Sequence, residues 1–191
     1  MLFTYQVTPN ISLATLNPKL AKEHFELIDS NREFFGEWFG WVDNMKSQQD
    51  SLNFIQSRMI KDSSSQSSIF HILYDSKLVG QVGFVGIEVG ETNGEIGYWL
   101  DSNHNGKGIM IQCVKAIMRY GFEDLGLNRI VIKAHVNNTR SQAVAKKLGF
   151  TLEGVEREAT QLKGKFYDCH IYSMLKSDFT FLNCLSSDNL E

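Results

Sequence analysis

Gly106 and Gly108 stand two residues apart in the run GYWLDSNHNGKGIM (97–110), between an apolar strand-like segment and an amphipathic one. Glycines there strip side chains from the point where a helix begins. Unpaired backbone N–H groups and the positive end of the helix dipole can then face a ligand. Such a site suits an anion of phosphate size. Asn105-Gly106 is also a good turn dipeptide, so the loop alone leaves a bare turn open. A second unit narrows the choice. Asn138-Thr139-Arg140-Ser141 opens another helical segment, which runs to Leu148-Gly149-Phe150. Asn138 has the chemistry of an N-cap and Gly149 that of the residue past a helix end. Two helix N-termini would then flank one crevice.

The elements that must position these residues follow from periodicity. Ile11, Leu13 and Leu16 mark an opening strand, and Asn17-Pro18 starts a helix that runs to about Asp29. The aromatic run from Asn31 to Met45 and the segment Gln48 to Lys61 predict two further short helices. Phe34, Phe35, Trp38, Phe39 and Trp41 fit one buried helix face or the wall of an acceptor channel. The serine-rich stretch 62–68 reads as a polar loop. Ile69–Tyr74 and Leu78–Ile87 flank an Asp75-Ser76-Lys77 turn, as in an antiparallel hairpin, and Glu95–Asp101 is a third strand. Met110, Cys113, Val114, Ile117 and Met118 recur at spacings of three and four, which gives one buried helix face. Ile130, Ile132, Ala134 and Val136 alternate as a strand does, Ala143, Val144 and Leu148 lie on the second helix, and Phe150–Glu156 and Tyr167–Leu175 close the sheet. A mixed α/β sheet covered by helices is expected.

Composition sets limits. The 191 residues suffice for one well-filled core, and no linker divides them, so one domain spans 1–191 with a tail from 178. A net charge of −3 argues against a general nucleic-acid binder, which would carry a basic face. The N-terminus lacks the pattern of a secretory leader and no window has the length of a membrane span, so the expected location is cytoplasmic, with no membrane partner. Cys113, Cys169 and Cys184 are odd in number and widely separated, as reduced thiols would be, and no Cys/His cluster has metal spacing. The apolar tail FTFLNCL (179–185) could pack on the domain or on a second copy in a homodimer.

Four segments, in this order and at these separations, resemble the GNAT N-acetyltransferases: Glu95-Ile96-Gly97-Tyr98-Trp99-Leu100, Gly106-Lys107-Gly108-Ile109, Leu125-Gly126-Leu127-Asn128-Arg129, and Asn138-Thr139-Arg140-Ser141 leading to Leu148-Gly149-Phe150. Within that family they resemble the RimL-like branch, which acetylates N-terminal amines of proteins, ribosomal ones included. The resemblance spans about residues 69 to 176. It implies a mixed α+β fold: a twisted, largely antiparallel sheet of about seven strands, flanked by helices, with acetyl-CoA in a cleft at its centre. It further implies that the strand bearing Tyr98, Trp99 and Leu100 pairs through its backbone with the pantetheine arm. The amides of Asn105, Gly106, Lys107, Gly108, Ile109 and Met110 would hold the pyrophosphate, and Asn138 would bond the pantetheine.

The chemistry so implied is attack of a neutral amine on a thioester, which needs a proton acceptor, oxyanion donors and a proton for the leaving thiolate. Ser141 aligns with the serine that serves as general acid. Glu95 resembles the catalytic glutamate of the histone-acetylating branch and is the first candidate for the base. Two departures stand out: Asn105 and Met110 replace the usual ends of the glycine loop, and Thr160 occupies the place where RimL-like enzymes carry a glutamate base. Glu158 is a second base candidate, and Tyr98 or Tyr167 could deliver a proton. The expected function is acetyl-CoA-dependent acetylation of a protein α-amine, such as that of a ribosomal protein. The alternatives are a small amine (polyamine, amino acid or aminoglycoside) and a CoA-binding regulatory module without turnover.

Overall fold

A computed structural model describes residues 2–63, 68–87 and 92–180, the side chains of 61–63 excepted. The serine-rich loop therefore lies largely outside the described residues, as does the tail beyond Thr180 with Cys184. Eight strands form one sheet: β1 (Thr4–Thr8), β2 (Ile11–Thr15), β3 (Ser68–Tyr74), β4 (Lys77–Ile87), β5 (Asn93–Leu100), β6 (Arg129–His135), β7 (Thr151–Leu162) and β8 (Lys165–Leu175). Their order is β1-β2-β3-β4-β5-β6-β8-β7, and every pair is antiparallel except β5–β6. The strand beyond the seven expected is β1, which continues the opening strand as a hairpin. Its exposed faces carry too little hydrophobic alternation to be read from sequence.

The helices are α1 (Ala21–Ser30), α2 (Arg32–Gly36), α3 (Gln48–Ser63), α4 (Ile109–Arg119) and α5 (Thr139–Lys147). Asn17 caps as expected, its side chain accepting from the Lys19 amide at 2.9 Å, but the turn it opens is a short 3-10 one and α1 starts at Ala21. Asp75 and Ser76 take left-handed φ of 48° and 64°, so the β3–β4 hairpin closes through a tight two-residue turn. The aromatic run is not one helix. α2 stops at Gly36, a 3-10 turn covers Gly40–Asn44, and only Phe35 among the five aromatics is in the core. Glycines at 36 and 40 break the period that the aromatics suggest.

The sheet separates two hydrophobic layers. On one side α4 buries Met110, Cys113, Val114, Ile117 and Met118 against Val82, Phe84, Ile96 and Ile130. Ile117, at 2% exposure, contributes about 1.5–3 kcal/mol through burial alone. On the other side Ile28 of α1, Phe35, Val42 and Met45 pack on Trp99. α5 differs from expectation: Gln142 and Ala145 face inward, Val144 and Leu148 are half-buried, and Gln142 donates to the carbonyls of His135 and Val136. At its end Gly149 takes φ 81° and Phe150 N donates to Ala145 O at 3.0 Å, the left-handed stop that the sequence predicts.

Candidate active site

β5 pairs with β6 over three positions only, Asn93 with Arg129, Gly94 with Ile130 and Glu95 with Val131. From Ile96 to Leu100 it pairs with β4 alone, so its other edge has no strand partner there. The divergence opens a cleft of about 500 Å³ between Ile96–Leu100 of β5 and Lys133–His135 of β6. Asn105 and Met110 border it from the glycine loop, and Asn138, Arg140 and Ser141 from the start of α5. A free strand edge offers a ladder of backbone donors and acceptors to an extended ligand bearing amides.

Strand alternation assigns the residues of β5 to two faces. Ile96, Tyr98 and Leu100 turn toward the α4 layer, whereas Trp99 joins the α1–α2 layer and shares its face with Glu95 and Gly97. The acid and base candidates are thereby separated. Tyr98 shares a 2.9 Å hydrogen bond with Ser141 Oγ and lies 3.2 Å from the Ser141 carbonyl. Burial pushes its phenol up to about 12, against the opposing pull of Ser141, so it stays protonated at neutral pH. Ser141 N in turn donates to Asn138 Oδ1 at 3.1 Å, so Asn138 is the N-cap and keeps its amide nitrogen for another partner.

Glu95 borders the cleft at the point where the strands part. Burial pushes its carboxyl above the usual range; Lys133 opposes the shift and Glu156 adds to it. Lys133 is itself fixed by Glu156 at 2.9 Å. Thr160 also borders the cleft, 3.9 Å from Cys169 Sγ, and offers no base. Glu158 does not reach it. A bulge in β7 leaves Glu158 exposed at φ 53°, its amide donating to Asp168 at 2.8 Å. Tyr167 likewise stands back, packed on His135 at 4.6 Å between ring centroids.

Gly106 and Gly108 have φ of 79° and 76°, and no atom lies within 4 Å of where a Cβ would sit. Gly108 is the N-cap of α4 without any side-chain cap, so the first-turn amides are free to meet a ligand. The loop is braced from behind. Asp101 accepts from His104 Nδ1 at 2.7 Å, and Asn31 Oδ1 accepts from Ser102 N at 3.1 Å and Ser102 Oγ at 2.7 Å. Ile109 is a core residue at 1% exposure, so only its backbone is available. Lys107 Nζ lies 5.7 Å from the Tyr74 ring centroid. The loop thus presents uncapped backbone amides beside one end of a cleft with a free strand edge, where Asn105 and Met110 border the cleft and residues 106–109 do not line it.

An acetyltransferase (GNAT) domain family matches residues 11–151. The chain belongs to the GNAT acetyltransferases. Over 172 residues it is 29% identical to the ribosomal-protein-serine acetyltransferase of Escherichia coli, covering 90% of this chain and 96% of that one. Among solved structures, RimL, a ribosomal alpha-N-protein acetyltransferase in complex with coenzyme A, superposes with a TM-score of 0.88 at 26% identity, covering 92% of this chain and 99% of that one. The microcin C7 self-immunity acetyltransferase MccE, in complex with acetyl-CoA and AMP, gives a TM-score of 0.84 at 36% identity, covering 88% of this chain and 94% of that one. The expected enzyme class and fold are borne out, with eight strands in place of seven.

This acetyltransferase brings Glu95, Tyr98, Trp99, Leu100, Asn105, Met110, Asn138 and Ser141 to one cleft. Phe34, Phe35, Trp38 and Phe39 of the aromatic run form part of its wall, whereas Lys133, His135 and Arg140 border it too and were not singled out from sequence as site residues. The alternation that marks β6 carried a signal for two of them, since Lys133 and His135 share the face opposite Ile132 and Ala134. Arg140 lies over Phe34, 5.4 Å from its centroid. No described helix is long and apolar enough to cross a membrane.

Proposed function

We propose that the enzyme uses acetyl-CoA to acetylate the α-amine of an amino-acid residue. The observation that carries this reading is the free edge of β5 between a glycine-built helix start and the carboxylate of Glu95. Acetyl-CoA supplies an activated thioester, so the protein's main task is to position the amine and to move protons. The backbone from Tyr98 to Leu100 holds the pantetheine arm with Asn138, and the amides of residues 106–110 hold the pyrophosphate. Glu95 takes the proton of the amine from the face of β5 that it shares with Trp99. Ser141, with Tyr98 hydrogen-bonded to it, supplies a proton from the opposite face. A carboxyl raised by burial is a better match to a proton acceptor working near neutral pH than an exposed one.

The N-terminus of a protein, a ribosomal protein for instance, is the acceptor supported by the relatives' names. A small amine is the second reading, favoured by the aromatic pocket beside the cleft and by the nucleotide in the MccE neighbour. Titration calorimetry with acetyl-CoA tests the donor, and absence of heat would refute it. Release of free thiol with peptides of varied N-terminal residue, set against amino acids, polyamines and aminoglycosides, separates the acceptor classes.

A further inference from the structure

Glu95 pairs with Val131 where β5 and β6 run parallel, so alternation puts Glu95 on one face of the sheet with Val131, Lys133 and His135. Ile130, Ile132 and Ala134 point the other way, into the α4 layer. Lys133 therefore stands two residues along β6 from the partner of Glu95, where the strands part, and it borders the cleft as Glu95 does. The neighbouring strands complete the cluster. Cys169 of β8 pairs with His135 and so shares this face. The register of β7 on β8 shifts between Glu156 and Thr160, which brings both of them to Cys169: Glu156 is its pairing partner, and the Thr160 hydroxyl lies 3.9 Å from its sulfur.

The Lys133 ammonium is 2.9 Å from Glu156 Oε2, which fixes the far end of its four-carbon stem. With 38% and 40% of their side chains exposed, the two form a pair that contributes little to stability, so the fold does not depend on it. Other groups on this face are already engaged or uncharged. Arg129 is held by Glu153 through two hydrogen bonds. Burial lowers the His135 imidazole against the pull of Asp168 and raises the Cys169 thiol, so both are neutral at neutral pH. Gly86 is the β4 partner of Glu95 and brings no charge, and neither does Thr160. Arg140 of α5 lies over Phe34. Burial is the largest influence on Glu95 and favours its protonated acid; Lys133 favours the carboxylate, and Glu156 opposes it.

We propose that Lys133, held by Glu156, is a positioning residue of acetyl transfer: its ammonium faces Glu95 where β5 and β6 part and keeps that carboxylate in the form that accepts a proton. The role rests on the acetyl-transfer reading with Glu95 as proton acceptor. Lys133 touches neither the amine nor the thioester in it. Glu156 acts in two ways, as the anchor of the ammonium and as a like charge that leaves Glu95 a stronger base than an unpaired Lys133 would.

The test follows Glu95 directly, by carbon NMR of the side-chain carboxyls in the full chain bearing isotope-labelled glutamate, with the Glu95 resonance assigned by its loss in Glu95→Gln. Lys133→Met should raise the titration midpoint of Glu95 by about one pH unit, and Glu156→Gln should lower it by a similar amount, at the low end for one neighbouring charge because both groups are partly exposed. Lys133→Arg should keep the native midpoint, and the Lys133→Met, Glu156→Gln double variant should fall between the two single ones. With a peptide α-amine as acceptor, the acid limb of kcat/KM should move with the midpoint. Below that midpoint Lys133→Met should lose about tenfold, the equivalent of one pH unit, with the plateau at high pH kept within about threefold. A midpoint that neither substitution moves, or that both move in one direction, overturns the role of Lys133. So does a lowered plateau with an unmoved limb, which is the mark of a purely structural residue. A limb that survives Glu95→Gln, or that stays fixed while the midpoint moves, strikes instead the reading of Glu95 as proton acceptor.

Discussion

The cleft and the pocket that adjoins it form one continuous depression whose two ends are built from different materials. At the start of α4 the surface is backbone: left-handed glycines, free amides and a free strand edge, contiguous in sequence from Ile96 to Met110. At the other end it is side chains from separated elements, with His24 on α1, Phe39 and Trp41 between helices, Phe54 and Arg58 on α3, and Gln81 on β4. A backbone site constrains few residue types but fixes them closely in sequence. A side-chain site tolerates many residue types and is assembled only by packing. The first suits a ligand that stays the same, and the second a ligand that can differ between related enzymes.

The largest expected effect lies in the cleft, where β5 and β6 part. Glu95→Gln should lower kcat by about 100-fold at neutral pH, within the range for loss of a general base, with acetyl-CoA affinity kept. The base form of Glu95 exists only above its folded pKa, which burial raises. The kcat/KM profile of the native enzyme should therefore fall on its acid side above the ordinary carboxylate range. That limb should vanish in the variant, and a persisting limb would remove Glu95 from the role. Stability is expected to change in the opposite sense. A raised folded pKa means that the folded state holds this proton more tightly, so the contribution to stability declines as pH rises past the unfolded value. Near neutral pH the variant should melt no lower than the native protein.

Gly108→Val comes next and tests the backbone end. Nothing within 4 Å would clash with the new Cβ, so any loss comes from forcing φ 76° on a β-branched residue and from blocking the amides. Affinity for acetyl-CoA should fall by at least about tenfold, with roughly 1–2 kcal/mol from the backbone alone. Calorimetry on a variant with native circular dichroism checks it. Tyr98→Phe should do less. It removes one hydrogen bond to Ser141, worth about 1 kcal/mol, and lowers kcat by roughly fivefold without altering KM for the amine. A change confined to KM would show that Tyr98 serves substrate binding and not the proton path.

The same contrast explains what could be read from sequence. The glycine loop, the cap of α5 and the stop at Gly149 were legible because each is a local backbone requirement met by a particular residue type. So was the buried stripe of α4, whose period survives in the structure. Glu158 was not: a bulge in β7 turns it to solvent, and bulges leave little trace in a pattern of alternation. The aromatic run was legible only in part: Phe34, Phe35, Trp38 and Phe39 do border the cleft, as one of its two readings had it, but they do not form one helix face. Its spacing fits a helix, but the chain turns after Gly36, which sends Phe39 and Trp41 to the rim of a pocket whose other walls lie up to about 60 residues away. The place of Gln81 in that pocket depends on a pairing of β4 with β5 that no local signal contains.

Lys107→Met should have the smallest effect and is the most discriminating for the contrast. Lys107 sits between the two glycines, and a reading by charge would make it the phosphate ligand. Its ammonium is instead placed over the Tyr74 ring at 5.7 Å on an exposed loop, where such a contact contributes about 0.5–1 kcal/mol. If the amides hold the pyrophosphate, removing this cation should weaken acetyl-CoA by no more than about threefold at physiological salt, because exposed charges are screened there. The loss should shrink further as salt rises. A loss of tenfold or more, insensitive to salt, would mean that a side chain does at this end what side chains do at the other, and the division between the two ends would fail.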